Sequence, residues 1–309
     1  MNSEWLEELT RLEGAYSDNT IRGYRADFED FYAWCEVTGN IALPAAAETV
    51  VEYIGAIEVT KAPATIQRRL CGIARVHRLL DHGDPTQAQS VKLAMRRMLR
   101  QRGRRQKQAL GLVSDLREKL IAACGDDRRG LRDRAIIAVG YDTLCRRSEL
   151  VSLLAQDVDR SGDGSGSVLI RRSKTDQIGE GRLGYLSPVT MDRLSAWLEA
   201  AEITEGPTFR AVYPRSVAKR GLHSYQVTRI LKRAAGRAGL DGETIRQLSG
   251  HSMRVGAALD MVENGIDLVP VMHAGGWKSP GMVLRYTQQI SLAKSGMAML
   301  AALPRTGPQ

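Results

Sequence analysis

Gly250-His251-Ser252-Met253-Arg254-Val255-Gly256-Ala257-Ala258, then His273-Ala274-Gly275-Gly276-Trp277, then Val283-Leu284-Arg285-Tyr286, is the stretch whose reading decides the fold. It holds an imidazole, a guanidinium, an indole and a phenol, all able to donate a hydrogen bond to an anion. Taken singly, each has a plain reading. A tyrosine near a helix end usually packs or caps, a tryptophan usually belongs to the core, and a histidine is usually a satisfied polar residue. The apolar spacing around them predicts helices at 252–263, 266–273 and 279–286, with a further one at 291–303.

Working upstream, helices are expected at 190–201 and 225–238. Before them, 165–172 and 182–186 have the β-rich character of two strands, and residues 173–181, including Lys174, form the hairpin loop between them. Two closely spaced helical segments precede the hairpin, at 131–143 and around 146–154, and another is expected at 115–124. Arg146 and Glu149 stand three apart and so share a helical face. Alone, that spacing marks an ordinary surface pair, and Arg147 is an adjacent candidate for any role given to Arg146.

The first hundred residues carry a helical period. Ser17 precedes Ile21, Tyr24, Phe28, Phe31 and Trp34, which form one apolar stripe over 17–35, with Arg22, Arg25, Asp27 and Glu29 opposite. A second helix follows Pro63, with Ile66, Leu70, Ile73 and Leu80 inward and Arg68, Arg69, Arg75 and Arg78 on the remaining surface. A third spans 86–100. It ends in the most uneven charge of the chain: Lys92, Arg96, Arg97, Arg100, Arg102, Arg104, Arg105 and Lys107, with no acid among them. Like charges at this density repel one another unless a polyanion neutralises them, which favours a phosphate-facing hinge over a solvated face.

Composition agrees with that partner. The 309 residues carry 44 Lys and Arg against 35 Asp and Glu, a net charge of +9, so nucleic acid binding would release counterions. With 43% hydrophobic residues and length for about two domains of ~150 residues, the chain is globular rather than disordered. No segment approaches the roughly 20 apolar residues of a membrane span. Residues 1–14 contain four glutamates and no apolar run suited to export, so a cytoplasmic protein without membrane association is expected. Cys35, Cys71, Cys124 and Cys145 lack paired metal spacing and are expected as reduced thiols.

The three segments quoted first, in their order and spacing, resemble the tyrosine site-specific recombinases, or phage integrases, and within them the Cre-like branch. The likeness extends back through Lys107-Gln108-Ala109-Leu110 and, more faintly, through Thr65-Ile66-Gln67 and Ala33-Trp34-Cys35. It implies a mainly α, two-domain DNA clamp: an all-helical core-binding domain over 1–103, a basic linker over 104–110, and a mostly helical catalytic domain over 111–309 carrying a small antiparallel β-sheet. The terminal helix at about 288–303 would be exchanged between subunits.

The resemblance assigns Tyr286 as nucleophile, Arg146 as first catalytic arginine, Glu149 as its supporting acid and Lys174 as the loop lysine. His251, Arg254 and Trp277 complete the pocket. In-line displacement at a phosphodiester concentrates charge on the non-bridging oxygens, which two guanidinium groups can stabilise in the transition state. Lys174 would protonate the departing 5′ oxygen. A phenol, with a reference pKa of about 10, becomes a nucleophile beside positive charge and a proton acceptor. The implied activity is strand exchange between two sites through a 3′-phosphotyrosine and a Holliday junction, with no metal or other cofactor; there is no Walker loop and no carboxylate cluster suited to two magnesium ions.

The implied partners are double-stranded DNA bearing an inverted-repeat site and three further copies of the chain in a synaptic homotetramer. Arg22 and Arg68 would enter the major groove, where arginine reads guanine. Arg100, Arg102, Arg104, Arg105 and Lys107 would follow the phosphates, and Tyr225, Gln226, Thr228 and Arg229 occupy the second base-reading helix. Two other readings remain open at this point: a catalytically silent DNA-binding regulator, and a related strand transferase such as a telomere resolvase or a topoisomerase.

Overall fold

The computed structural model describes residues 4–103, 108–171 and 181–287, together with 297 and 301. The chain divides into two compact units, residues 1–107 and 108–309.

Among the described residues, five α-helices and a short 3-10 turn (Pro85–Gln87) build the first unit: α1 (Glu4–Thr10), α2 (Asp18–Thr38), α3 (Ala47–Ile57), α4 (Pro63–Leu79) and α5 (Gln89–Arg102). Ser17 caps α2, its hydroxyl oxygen accepting from the Thr20 N–H at 3.3 Å, and the helix ends at Gly39 in the left-handed region. Pro63 opens α4, where a missing N–H costs nothing. The stripe on α2 buries Phe28 and Phe31 completely, each contributing roughly 1.5–3 kcal/mol. Trp5 meets Phe28 edge-on with ring centroids 4.9 Å apart, and Tyr53 meets Phe31 likewise at 5.0 Å.

Two residues expected on the surface are instead buried. Asp27 lies inside and accepts from Arg68 Nη1 at 2.6 Å; burial is the largest influence on its carboxyl and raises its pKa. Arg69 is also inside, its fork bidentate on Asp30 at 2.5 and 2.7 Å, with Tyr53 OH completing the network. A helix face too wide for its apolar stripe closes by pairing these charges, a pattern that single-helix spacing does not reveal.

The second unit contains α6 (Ser114–Ala122), α7 (Arg128–Asp142), α8 (Arg147–Val151), β1 (Val158–Arg160), β2 (Gly166–Ile170), β3 (Arg182–Leu186) and α9 (Pro188–Ala200). They are followed by β4 (Arg210–Val212), β5 (Val217–Gly221), α10 (Tyr225–Arg237), α11 (Gly242–Gln247), α12 (Ser252–Glu263), α13 (Leu268–Gly275) and α14 (Gly281–Thr287). The architecture is mainly helical with a small antiparallel sheet ordered β1-β2-β3, in which Ile170 pairs with Arg182. β4 and β5 form a second, two-stranded sheet. The core centres on α7, whose Ala135 to Val139 are all buried. The two strands of the expected hairpin are present, and the loop residues 172–180, Lys174 among them, lie outside the described residues, as does most of the 291–303 segment. No helix among the described residues is long and apolar enough to cross a membrane. The four cysteines are free thiols, and only Cys71 is exposed.

The first half of α12 is entirely buried, from Ser252 to Ala258. The segment 110–112 runs along the end of α11 and the start of α12: Leu110 N–H donates to Gln247 O at 3.2 Å and Leu112 N–H to Ser252 O at 2.8 Å. Gly256 permits this approach, since a Cβ there would stand 2.0 Å from the Leu112 carbonyl oxygen. Gly256→Ala therefore forces backbone apart and should destabilise the second unit by about 1–3 kcal/mol. A urea titration of that unit's transition checks it; an unchanged midpoint would show that the segment yields without cost.

Candidate active site

The turn from Thr143 to Arg146 delivers the first arginine. Leu144 is held at φ +51°, a left-handed conformation uncommon for a branched side chain and retained only where surrounding contacts enforce it. The turn ends with Arg146 as the N-cap residue of α8, outside the helix proper. Glu149, three residues on and buried, accepts from the Arg146 backbone N–H at 3.0 Å and from its Nη1 at 2.6 Å. The pair thus works across a helix N-terminus rather than along a helix face, and one carboxylate fixes both the start of α8 and the guanidinium. Arg147 is exposed, and Arg146 is the arginine that Glu149 holds.

Arg254 projects from α12 and is 1% exposed. Its Nη1 donates to the Leu144 carbonyl at 2.5 Å, and its guanidinium carbon lies 4.1 Å from the Trp277 ring centroid. Its Nη2 is buried without a hydrogen-bond partner among the described residues. Burial, then the neighbouring positive charge of Arg146, brings the Arg254 pKa down to about 10, partly offset by Tyr286 and Glu149. The group stays charged at neutral pH, so the structure holds a buried cation with one donor unspent.

Trp277 reaches Arg254 through an unusual turn. Its ring lies over Gly275, where a Cβ would stand 2.1 Å from the indole, while Gly276 ends α13 at φ +60°. The tilted Tyr286 ring follows, 5.8 Å from Trp277 between centroids. Tyr286 is buried with Leu144, Val255, Val271 and Val283 in a small apolar cluster. Its backbone carbonyl accepts from Gln108 Nε2 at 3.4 Å. Cys145, also at this site, is sealed in the core with its thiol raised to about 11 by burial, which leaves it unreactive.

His251 closes the pocket at the N-terminal end of α12. It remains accessible, yet the protein packed around it, followed by the charges of Arg254, Arg146 and Arg147, lowers its pKa below that of a free imidazole. Six of the seven sequence-assigned residues (Arg146, Glu149, His251, Arg254, Trp277 and Tyr286) therefore converge in the second unit; Lys174 lies outside the described residues. The spacing reading missed Arg182, which opens β3 and donates to the Thr143 carbonyl at 2.8 Å. No motif marks it, because its partners are backbone atoms distant in sequence.

The residues assigned to the DNA surface are spread over both units. Arg22 is exposed and bonded to Asn19, while Arg68 is half exposed and anchored on Asp27. Arg100 is exposed, and Arg102 donates to the carbonyls of Glu58 and Lys61. Arg104, Arg105 and Lys107 lie outside the described residues. On α10, exposed Tyr225 packs its ring at a tilt against His223, with Gln226 bonded to its hydroxyl and Arg229 near its ring. Thr228 is engaged within the protein, its oxygen accepting from the Gly250 N–H at 3.0 Å.

The depressed His251 pKa is directly measurable. In an NMR titration of the DNA-free protein, its imidazole should titrate below the ordinary value of about 6.5, so that it is neutral at pH 7. Removing charge by Arg146→Met should move the midpoint upward. A midpoint at or above 6.5 in the unaltered protein would contradict the electrostatic description.

The profile of the phage integrase family matches residues 112–291. Over 308 residues the chain is 32% identical to the integrase/recombinase xerD homolog of Selenomonas ruminantium, covering 94% of this chain and 87% of that protein. It is 27% identical over 312 residues to the recombinase cre of Escherichia phage P1, covering 96% and 91%. Its fold is similar to that of the Tn1549 transposon integrase solved with transposon right end DNA, with a TM-score of 0.67, 14% identity, and 97% and 99% of the two chains covered. The chain belongs to the phage integrase family, the tyrosine recombinases, for which cleavage and rejoining of DNA is the characteristic reaction.

Proposed function

We propose that this protein is a site-specific recombinase that breaks and reseals duplex DNA through a 3′-phosphotyrosine at Tyr286. The observation that carries the reading is the buried Nη2 of Arg254, without a partner among the described residues, in the pocket that Tyr286 enters. A buried donor without a partner is costly, and a phosphodiester oxygen is the acceptor whose charge grows along the reaction.

The Tyr286 oxygen attacks phosphorus as its proton passes to a nearby acceptor, a part suited to the neutral His251 imidazole. The bond to the 5′ oxygen breaks as Lys174 protonates it. Arg146, held by Glu149, and Arg254 stabilise the non-bridging oxygens, and the Trp277 N–H adds a hydrogen bond. The phosphotyrosine ester conserves the energy of the broken linkage. A 5′ hydroxyl from the partner site then attacks it, giving a Holliday junction after the first pair of exchanges. A silent DNA-binding regulator would leave both the free Arg254 donor and the adjoining phenol without a purpose.

Four copies of the chain assemble on two inverted-repeat sites, each gripping DNA with both of its units and with the basic segment 100–107 on the phosphates. Arg22, Arg68, Tyr225, Gln226 and Arg229 contact the grooves. Residues 288–303 pass to a neighbouring subunit and close a ring of heterologous contacts. The reaction takes place in the cytoplasm, on nucleoid DNA. Selection from a random duplex library should return two inverted half-sites flanking a spacer.

On a nicked suicide substrate, Tyr286→Phe should bind normally and trap no covalent adduct; persistent adduct would reject Tyr286 as the nucleophile. Arg254→Ala should slow adduct formation by about 100-fold or more, at least ~2.7 kcal/mol, with much smaller loss of binding. Deleting residues after 288 should abolish synapsis while sparing single-site binding. Unchanged synapsis by that truncation would count against tail exchange.

A further inference from the structure

The pocket walls come from three segments: the 143–146 turn, the 274–277 turn, and α12. Arg254 joins the first to the third through the Leu144 carbonyl. The first and second are joined by Arg182. Its Nη2 donates to Thr143 O at 2.8 Å and its Nη1 to Ala274 O at 3.1 Å, while Nη2 also stands 4.0 Å from Glu149 Oε2. The side chain is 18% exposed, and its backbone is fixed by pairing with Ile170 in the sheet. Gly276 leaves room for its stem, since a Cβ there would come within 3.0 Å of Arg182 Cδ.

We propose that Arg182 is a positioning residue, whose forked guanidinium fixes the separation between the Arg146 side and the Trp277 side of the pocket. Both of its terminal nitrogens are spent on backbone carbonyls, which distinguishes it from Arg146 and Arg254. It also supports the strained turn: the adjacent carbonyls of Thr143 and Leu144 are held by two different guanidinium groups, one from β3 and one from α12. A planar fork can bridge two carbonyls along divergent directions, whereas a lysine offers a single point charge. Because small displacements of catalytic groups are expensive, loss of the bridge should be felt in the chemical step.

The inference rests on the phosphotyrosine reading for its readout. With protein saturating over a nicked suicide duplex, Arg182→Met should form adduct 10- to 100-fold more slowly. Half-site affinity, measured by fluorescence anisotropy, should stay within about twofold. Arg182→Lys should give an intermediate rate and carries the test if the methionine variant does not fold. In an Arg146→Lys background, where the group to be positioned is already altered, the additional loss from Arg182→Met should shrink to less than about threefold, a coupling that a general stability defect would not produce.

A normal rate in both single variants overturns the proposal. So does a rate loss that multiplies fully with Arg146→Lys, or a matching loss of DNA affinity, which would make Arg182 a DNA contact. If the unaltered protein forms no adduct, the recombinase reading falls and this inference with it. If it does, a failure of the Arg182 predictions bears on positioning alone.

Discussion

A guanidinium buried to 1% exposure, with one nitrogen left without an acceptor among the described residues, is the constraint around which the second unit is arranged. Such a charge is costly inside a protein unless it is paired, stacked or awaiting an anion. The first two descriptions apply to Arg254, and the third is the proposed one. Nη1 is bonded to the Leu144 carbonyl, the guanidinium lies over the Trp277 ring, and Nη2 has no partner among the described residues. Its placement in turn demands a left-handed Leu144 to present the carbonyl and a glycine pair to let the indole fold over.

The same turn fixes Arg146, so the two arginines are set by one piece of backbone. Glu149 balances their charge while bonding the start of α8, and Arg182 ties this turn to the one preceding Trp277. The 108–112 segment reaches the site as well. It lies against α12 at Gly256 and touches the backbone of Tyr286 through Gln108. A site assembled from such separate segments can shift by small rotations of its turns, which makes the hydrogen bonds to their carbonyls as consequential as the side chains that face substrate.

Much of this was legible in the sequence wherever local signals agreed. Ser17 and the spaced aromatics of α2 mark a capped amphipathic helix; β3 and α12 occupy the residues their patterns indicate; and the ordered His251, Arg254, Trp277 and Tyr286 are brought together in one unit. Elements with weak local signals escaped. Ala46 caps α3 without a side-chain bond, β1 and β4 have only three residues each, and α1 and α11 are barely two turns long. Asp27, Arg69 and Arg182 were unreadable for another reason. Each owes its position to partners distant in the chain, so polarity alone suggested solvent for the first two and nothing for the third.

The central claim is that Arg254 keeps a donor in reserve for the reacting phosphate. A crystal structure of the covalent complex with a nicked half-site duplex tests it most directly. The account places the Tyr286 oxygen on the 3′ phosphorus and the Arg254 Nη2 within about 3.2 Å of a non-bridging oxygen. A phosphate bound elsewhere, or an Nη2 satisfied by a protein group while the phosphotyrosine is present, would contradict it.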